Sequence, residues 1–207
     1  MNYIYIGKPS DYNIGNGKTS SAVGNIAAAF ATNPDRTIFS NIELMELPYE
    51  KFNPNNISDV LETENALVFL DELHAIVHKN HKIHEGCGKH SVKGLCYLLS
   101  EFFRQVRKRK IDTHTTCQTF ADCAFQYRQL MNVQIVCEKF HLEGKKLVKC
   151  KPNYTTGEEC PEWHKHIIKQ QRYPSEQYEP AVYFNPEKVY SLYNSFEIVS
   201  GWVNNDT

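Results

Sequence analysis

The chain has 207 residues, 41% of them hydrophobic and 12% aromatic, which suffices for one domain with a sizeable core and excludes an intrinsically disordered chain. A formal net charge of −1 excludes a global basic field, so any contact with nucleic acid has to come from a local patch. The longest apolar runs, residues 26–31 and 66–70, fall far short of the ~20 residues of a membrane span. No basic-then-apolar leader opens the chain, so the expectation is a cytoplasmic protein with no membrane partner.

Residues 2–6 (NYIYI) predict a short buried strand, rich in aromatic and β-branched side chains. A polar, Gly-containing loop follows to Gly17. Residues 19–31 (TSSAVGNIAAAFA) predict a helix of small residues closed by Asn33 and Pro34. Residues 36–40 (RTIFS) form a second strand, and residues 49–65 a polar connector with a weak helical stretch. Residues 66–70 (ALVFL) are apolar throughout, as in a strand covered on both faces. A helix is expected to open at residues 71–78, followed by a His- and Gly-containing loop over 79–93. Leu95, Leu98, Leu99, Phe102, Phe103 and Val106 recur at helical spacing within residues 94–108. A fourth strand at 111–117, a helix at 121–130 and a fifth strand at 133–140 complete the alternation.

Strands alternating with helices argue for a mainly parallel, three-layer α/β sheet. Beyond residue 140 the texture changes. Residues 141–148 predict a hairpin turning at Gly144, residues 150–178 are polar and irregular, and a short helix starts at Pro186. We therefore read residues 1–207 as one domain, with a core over 1–140 and a small β-rich extension and C-terminal segment over 141–207.

Gly15-Asn16-Gly17-Lys18-Thr19 lies between a strand and a helix. Glycines there let successive N–H groups turn toward phosphates, and the helix N-terminus adds partial positive charge. Lys18 is placed to reach the β- and γ-phosphates of ATP, Thr19 to hold Mg²⁺, and Ser20 to line the same loop. The strict pattern asks for Gly at position 12, where Tyr12 stands; Gly7 instead follows the strand, so residues 10–14 read as a five-residue insertion.

Asp71 and Glu72 end the apolar strand at residues 66–70. An acid there is costly unless it serves a partner, and the carboxyl end of a parallel strand faces the ligand crevice. Asp71 is expected to hold Mg²⁺ and Glu72 to polarise the attacking water. The pair also reads as a helix N-cap with an acidic first turn, and the two readings are compatible. Gln118 ends the Thr115-Thr116-Cys117-Gln118 string and could meet the γ-phosphate or that water.

Gly-x-Gly-Lys-Thr, then apolar-Asp-Glu, then Arg107 with Gln118 after it, resembles the FtsK/HerA superfamily of DNA-pumping ATPases. The resemblance spans residues 1–140 and extends to a stretch at residues 193–198 near the C-terminus. It is closest in flavour to viral genome-packaging ATPases and to zonula-occludens-toxin-like phage assembly ATPases, which share an opening like Gly7-Lys8-Pro9. It implies a RecA-like sheet with the Gln118 strand between the Lys18 and Asp71 strands. It also implies a homo-oligomeric ring with nucleotide at each interface, double-stranded DNA as partner, and viral capsid or vertex proteins nearby. The location would be host cytoplasm or virion. Arg107 matches the family's arginine that acts on a neighbour's nucleotide. Its basic neighbours Arg104, Lys108, Arg109 and Lys110 suit a helix C-terminus or DNA phosphates. The alternatives are an ATPase that assembles or exports filamentous virions without moving duplex DNA, and a small-molecule kinase or nucleotide-binding switch.

Seven cysteines at irregular spacing argue for reduced thiols rather than a disulfide framework. His74, His78, His81, His84, Cys87 and His90, and separately Cys150, Cys160, His164 and His166, match no zinc-finger spacing, and no metal ligand is assigned to them.

Overall fold

A computed structural model describes residues 1–8, 17–53, 56–76, 92–149, 166–173 and 181–194. Strand β1 (Asn2–Gly7) leads to helix α1 (Lys18–Thr32), then strands β2 (Thr37–Ser40) and β3 (Glu50–Lys51) and helix α2 (Ile57–Glu62). Strand β4 (Ala66–Leu70) is followed by the single turn α3 (Leu73–Ile76) and the long helix α4 (Val92–Gln105), which tightens into a 3₁₀ turn at Val106–Arg109. Strand β5 (Asp112–Thr116), a 3₁₀ turn at Phe120–Asp122 and the short helix α5 (Phe125–Arg128) come next. Strands β6 (Val133–Glu143), β7 (Lys146–Lys149), β8 (His166–Tyr173) and β9 (Val182–Phe184) and helix α6 (Glu187–Tyr190) follow.

The strands form one sheet in the order β3-β2-β4-β5-β1-β6-β8-β9, with β7 paired to β6. From β3 to β6 every pairing is parallel, and β7, β8 and β9 add on antiparallel. The Gln118 strand thus lies between the strands leading to Lys18 and Asp71, the order the resemblance implies.

Side-chain alternation builds the three layers. In β4, Ala66, Val68 and Leu70 join the cluster under α2, α3, α4 and α5, while Leu67 and Phe69 join the one under α1 and α6. Ile4 and Ile6 of β1 take the first side and Tyr5 the second. Each fully buried side chain of this kind stabilises the fold by roughly 1.5–3 kcal/mol. Central β5 is polar, and its groups are satisfied one by one. Thr113 Oγ1 donates to Asn2 Oδ1 (2.7 Å), Thr115 Oγ1 to the Tyr3 carbonyl (3.0 Å), and His114 Nδ1 pairs with the Tyr5 hydroxyl (2.8 Å).

Three expectations differ from the structure. The helix at 121–130 is instead two separate turns. Thr119 and Asp122 form a capping box around the first, and extended Cys123 and Ala124 interrupt the path before α5. The fifth strand runs on to Glu143, because β8 pairs with it from Gln134 to His141. Residues 166–173, read as irregular, form β8; Ile168 and Gln170 point to the α1 side, a two-residue alternation hidden in a polar string. The hairpin is as read, turning at Gly144 with φ 60°. Among the described residues no helix is long and apolar enough to cross a membrane. Gly15, Asn16, the insertion at 10–14, and the His/Cys clusters other than His74 and His166 lie outside the described residues.

Candidate active site

The carboxyl ends of β1, β4 and β5 meet at one point, where parallel strands present their ligand crevice. Gly17 sits immediately before α1 with φ 78°, a left-handed conformation open to glycine. A Cβ there would also lie 2.4 Å from Ile168 Cδ1 on β8, so the added antiparallel strand supports the turn from beneath. The Gly17 carbonyl accepts the first helical bond from Ser21 N–H (2.9 Å), which fixes the start of α1.

Lys18, only 6% exposed, is the first residue of that helix. Burial holds its ammonium below the ordinary lysine range, against the opposing pull of Glu72 and Asp71. Its Nζ donates to Gln118 Oε1 at 3.1 Å. Thr19 Oγ1 donates to Asp71 Oδ1 at 3.0 Å. The same carboxylate oxygen accepts from Thr116 Oγ1 at 2.7 Å. Burial pushes the Asp71 carboxyl up to about 6, although both hydroxyls and Lys18 favour the charged form.

Glu72 occupies the left-handed region at φ 52°, unusual for a residue with a side chain. Its backbone N–H donates to Thr116 Oγ1 at 2.8 Å. Its carboxylate accepts from Gln118 Nε2 (3.1 and 3.3 Å) and lies 3.1 Å from His74 Nε2. A continuous polar chain therefore runs Lys18, Gln118, Glu72, His74.

Four residues that the sequence assigned no role at this site complete the arrangement. Thr116 uses one hydroxyl to tie Asp71 to the Glu72 backbone. Asn41 clamps the Asp71 backbone from both sides, donating to its carbonyl (3.0 Å) and accepting from its N–H (2.7 Å). His74 backs Glu72. Tyr193 shares a 2.9 Å hydrogen bond with Ser20 Oγ, and its backbone forms an isolated antiparallel bridge with Leu44. Thr116 stood inside the sensor string, but Asn41 follows its strand with no motif to mark it.

Arg107 lies elsewhere. It is exposed in the 3₁₀ turn before β5 and lines a depression with Met1, Lys110, Asp112 and Asn132. This is the opposite end of β5 from Thr116, about 13 Å along the strand. In this chain Arg107 does not join Lys18, Asp71, Glu72 and Gln118.

The donor set fits a magnesium nucleotide. A buried carboxylate and a hydroxyl, with oxygen donors only, suit a hard cation that keeps several waters. The elevated Asp71 carboxyl and the buried Lys18 ammonium are each charges whose cost a bound cation and phosphate would offset. Among the described residues no group of three or more His, Cys, Asp and Glu side chains converges to form a separate metal cluster.

No protein-family model matches the sequence, and no curated protein matches it either. The N-terminal domain of zonular occludens toxin from Neisseria meningitidis is similar in structure, with a TM-score of 0.53 and 15% identity, covering 93% of this chain and 98% of that one. The fold is that of a P-loop nucleoside triphosphatase. A weaker likeness, TM-score 0.46 at 10% identity over 70% of this chain and 75% of the other, is to the genome packaging NTPase of Sulfolobus turreted icosahedral virus 2, solved with ATP-gammaS.

Proposed function

We propose that the chain binds Mg–ATP between the start of α1 and the ends of β4 and β5 and hydrolyses it, as one subunit of a ring that moves double-stranded viral DNA during genome packaging. The observation that carries the hydrolytic reading is the Lys18–Gln118–Glu72 chain beside the Thr19–Asp71 pair. Lys18 would hold the β- and γ-phosphates, with the N–H groups at the start of α1 adding partial positive charge. Thr19 and Asp71 would hold Mg²⁺, which when bound offsets charge on the phosphates and orients them. Glu72 would take the proton of the attacking water, and Gln118 would align that water. Arg107 would serve a neighbouring subunit's nucleotide, consistent with its distance from the site of its own chain.

A second reading, an ATPase for filamentous virion assembly or export, is favoured by the likeness spanning almost the whole zonular occludens toxin domain, β-rich part included. Phosphate release with and without duplex DNA, alongside the mass in solution, separates the two. Stimulation by duplex in a ring-sized assembly supports the packaging motor. Hydrolysis indifferent to duplex removes that reading and leaves the second.

A further inference from the structure

Residues 191–194, which follow α6, reach back across the chain to the candidate site. Their backbone pairs antiparallel with the loop after β2, bridging Leu44 and Tyr193. Met45 N–H donates to the Leu192 carbonyl (2.9 Å) and Asn194 N–H to the Glu43 carbonyl (3.4 Å). That pairing sets the Tyr193 ring in the cluster under α1 and α6, where its hydroxyl meets Ser20 Oγ at 2.9 Å. Tyr193 is 6% exposed and Ser20 2%. Burial pushes the Tyr193 hydroxyl up to about 12, against the Ser20 hydrogen bond, and the Asp71 charge adds to the rise. The hydroxyl therefore stays protonated.

These contacts close a circuit. Ser20 follows Thr19, whose Oγ1 donates to Asp71 Oδ1 at 3.0 Å. The Asn41 side chain clamps the Asp71 backbone at 3.0 and 2.7 Å. Asn41 lies three residues before Leu44, Leu44 is bridged to Tyr193, and Tyr193 returns to Ser20. The first turn of α1 and the end of β4 are thus joined twice, directly through Thr19 and Asp71 and indirectly through Tyr193. Thr19 and Asp71 would give up their direct bond to hold a cation. The path through Tyr193 would persist.

We propose that Tyr193 is a positioning residue for the metal-bound nucleotide, its hydroxyl holding Ser20, and with it Thr19, in register with Asp71. The proposal rests on the Mg–ATP reading above and adds to it a role for the stretch after α6. Ligands that are already in register lose less freedom when they close on an ion, so the hydroxyl contributes to metal-dependent affinity without touching the nucleotide.

The test is calorimetric titration with ATP, once in excess Mg²⁺ and once in EDTA. The variants are Tyr193→Phe, Ser20→Ala, the two combined, and Val189→Ala. The ratio of the two affinities should fall about three- to tenfold in each single variant, while affinity in EDTA stays within about twofold of the parent. The combined variant should be no worse than the worse single one, because all three lose the same bond. Val189→Ala is the control. It thins the packing of α6 on α1, where a Cβ on Gly24 would lie 3.4 Å from Val189 Cγ2, and removes no polar atom. It should lower the thermal midpoint and keep the parent's ratio. An unchanged ratio in either folded single variant, or losses that add in the combined one, would overturn the proposal. So would an equal fall in Val189→Ala, since general loosening would then suffice. A parent that binds no Mg–ATP would overturn the ATPase reading together with this one, whereas a parent that binds it with unaltered variants would overturn this one alone.

Discussion

Gln118 and Glu72 are joined side chain to side chain: the Gln118 amide donates to both carboxylate oxygens of Glu72, at 3.1 and 3.3 Å. The amide oxygen of Gln118 meanwhile accepts from Lys18. One residue therefore links Lys18, the proposed phosphate-binding cation, to Glu72, the proposed base. Gln118→Ala should leave ATP affinity within a few-fold of the parent and cut turnover by about 10², the cost of losing one aligned polar group at a reacting centre. Calorimetric binding of Mg–ATP and steady-state phosphate release measure the two effects. Equal loss of binding and turnover would show that Gln118 holds the ground state instead.

Asp71 gives a pH signature. Its carboxyl titrates at about 6 in the folded chain against an ordinary 3.8. Between those values the folded form keeps a proton that the unfolded form has released. The nucleotide-free protein therefore loses stability as pH rises from about 4 to about 6, and the deficit is complete above that. Asp71→Asn removes the deficit while retaining an oxygen for Thr116, so its thermal midpoint should exceed the parent's at pH 7.5. The gain, on the order of 3 kcal/mol at most, should vanish near pH 4. Adding Mg–ATP should stabilise the parent but not the variant. A variant less stable than the parent at pH 7.5 would contradict this account of Asp71.

Gly17→Ala should fail for two separate reasons. The backbone at φ 78° disfavours any side chain, and the new Cβ would meet Ile168 Cδ1 at 2.4 Å. A loss of about 1–3 kcal/mol in chemical denaturation is expected, with weakened ATP binding. Adding Ile168→Ala should relieve only the steric part. Full recovery in the double variant would mean that the backbone conformation contributes nothing.

Much of this was legible from residues alone. Ala66–Leu70 announces a doubly covered strand because nothing polar interrupts it, and Asp71-Glu72 then marks its ligand end. The alternation of β1, α1, β4 and β5 follows from periodicity. Strand β8 was hidden because HIIKQQRY carries only a short apolar pair, and its partner β6 lies far earlier in sequence. Residues 121–130 read as one helix, but the Thr119–Asp122 capping box competes with helical continuation and splits the stretch into two turns. Asn41 escaped notice for a different reason: its value lies in hydrogen bonds to the backbone of Asp71, which no local pattern records.

Arg107 is proposed to act between subunits. Arg107→Ala should bind ATP normally and hydrolyse it poorly, by ~10³ or more if the arginine stabilises transition-state charge. Mixing it with Lys18→Ala protein should restore part of the activity, because some interfaces would pair an intact phosphate loop with an intact arginine. Subunit exchange without recovered phosphate release would remove Arg107 from the catalytic scheme.

The central claim is hydrolysis of ATP by Lys18, Asp71 and Glu72, and phosphate release from Mg–ATP tests it most directly. The parent chain should turn over ATP in the presence of Mg²⁺ and stop when the metal is chelated. Lys18→Ala should abolish turnover while keeping the parent's circular dichroism spectrum, through loss of charge on the β- and γ-phosphates. Glu72→Gln should bind Mg–ATP as the parent does yet release phosphate ~10²–10⁴ times more slowly, because only proton transfer from water is lost. Undiminished phosphate release in folded Lys18→Ala protein would contradict the account.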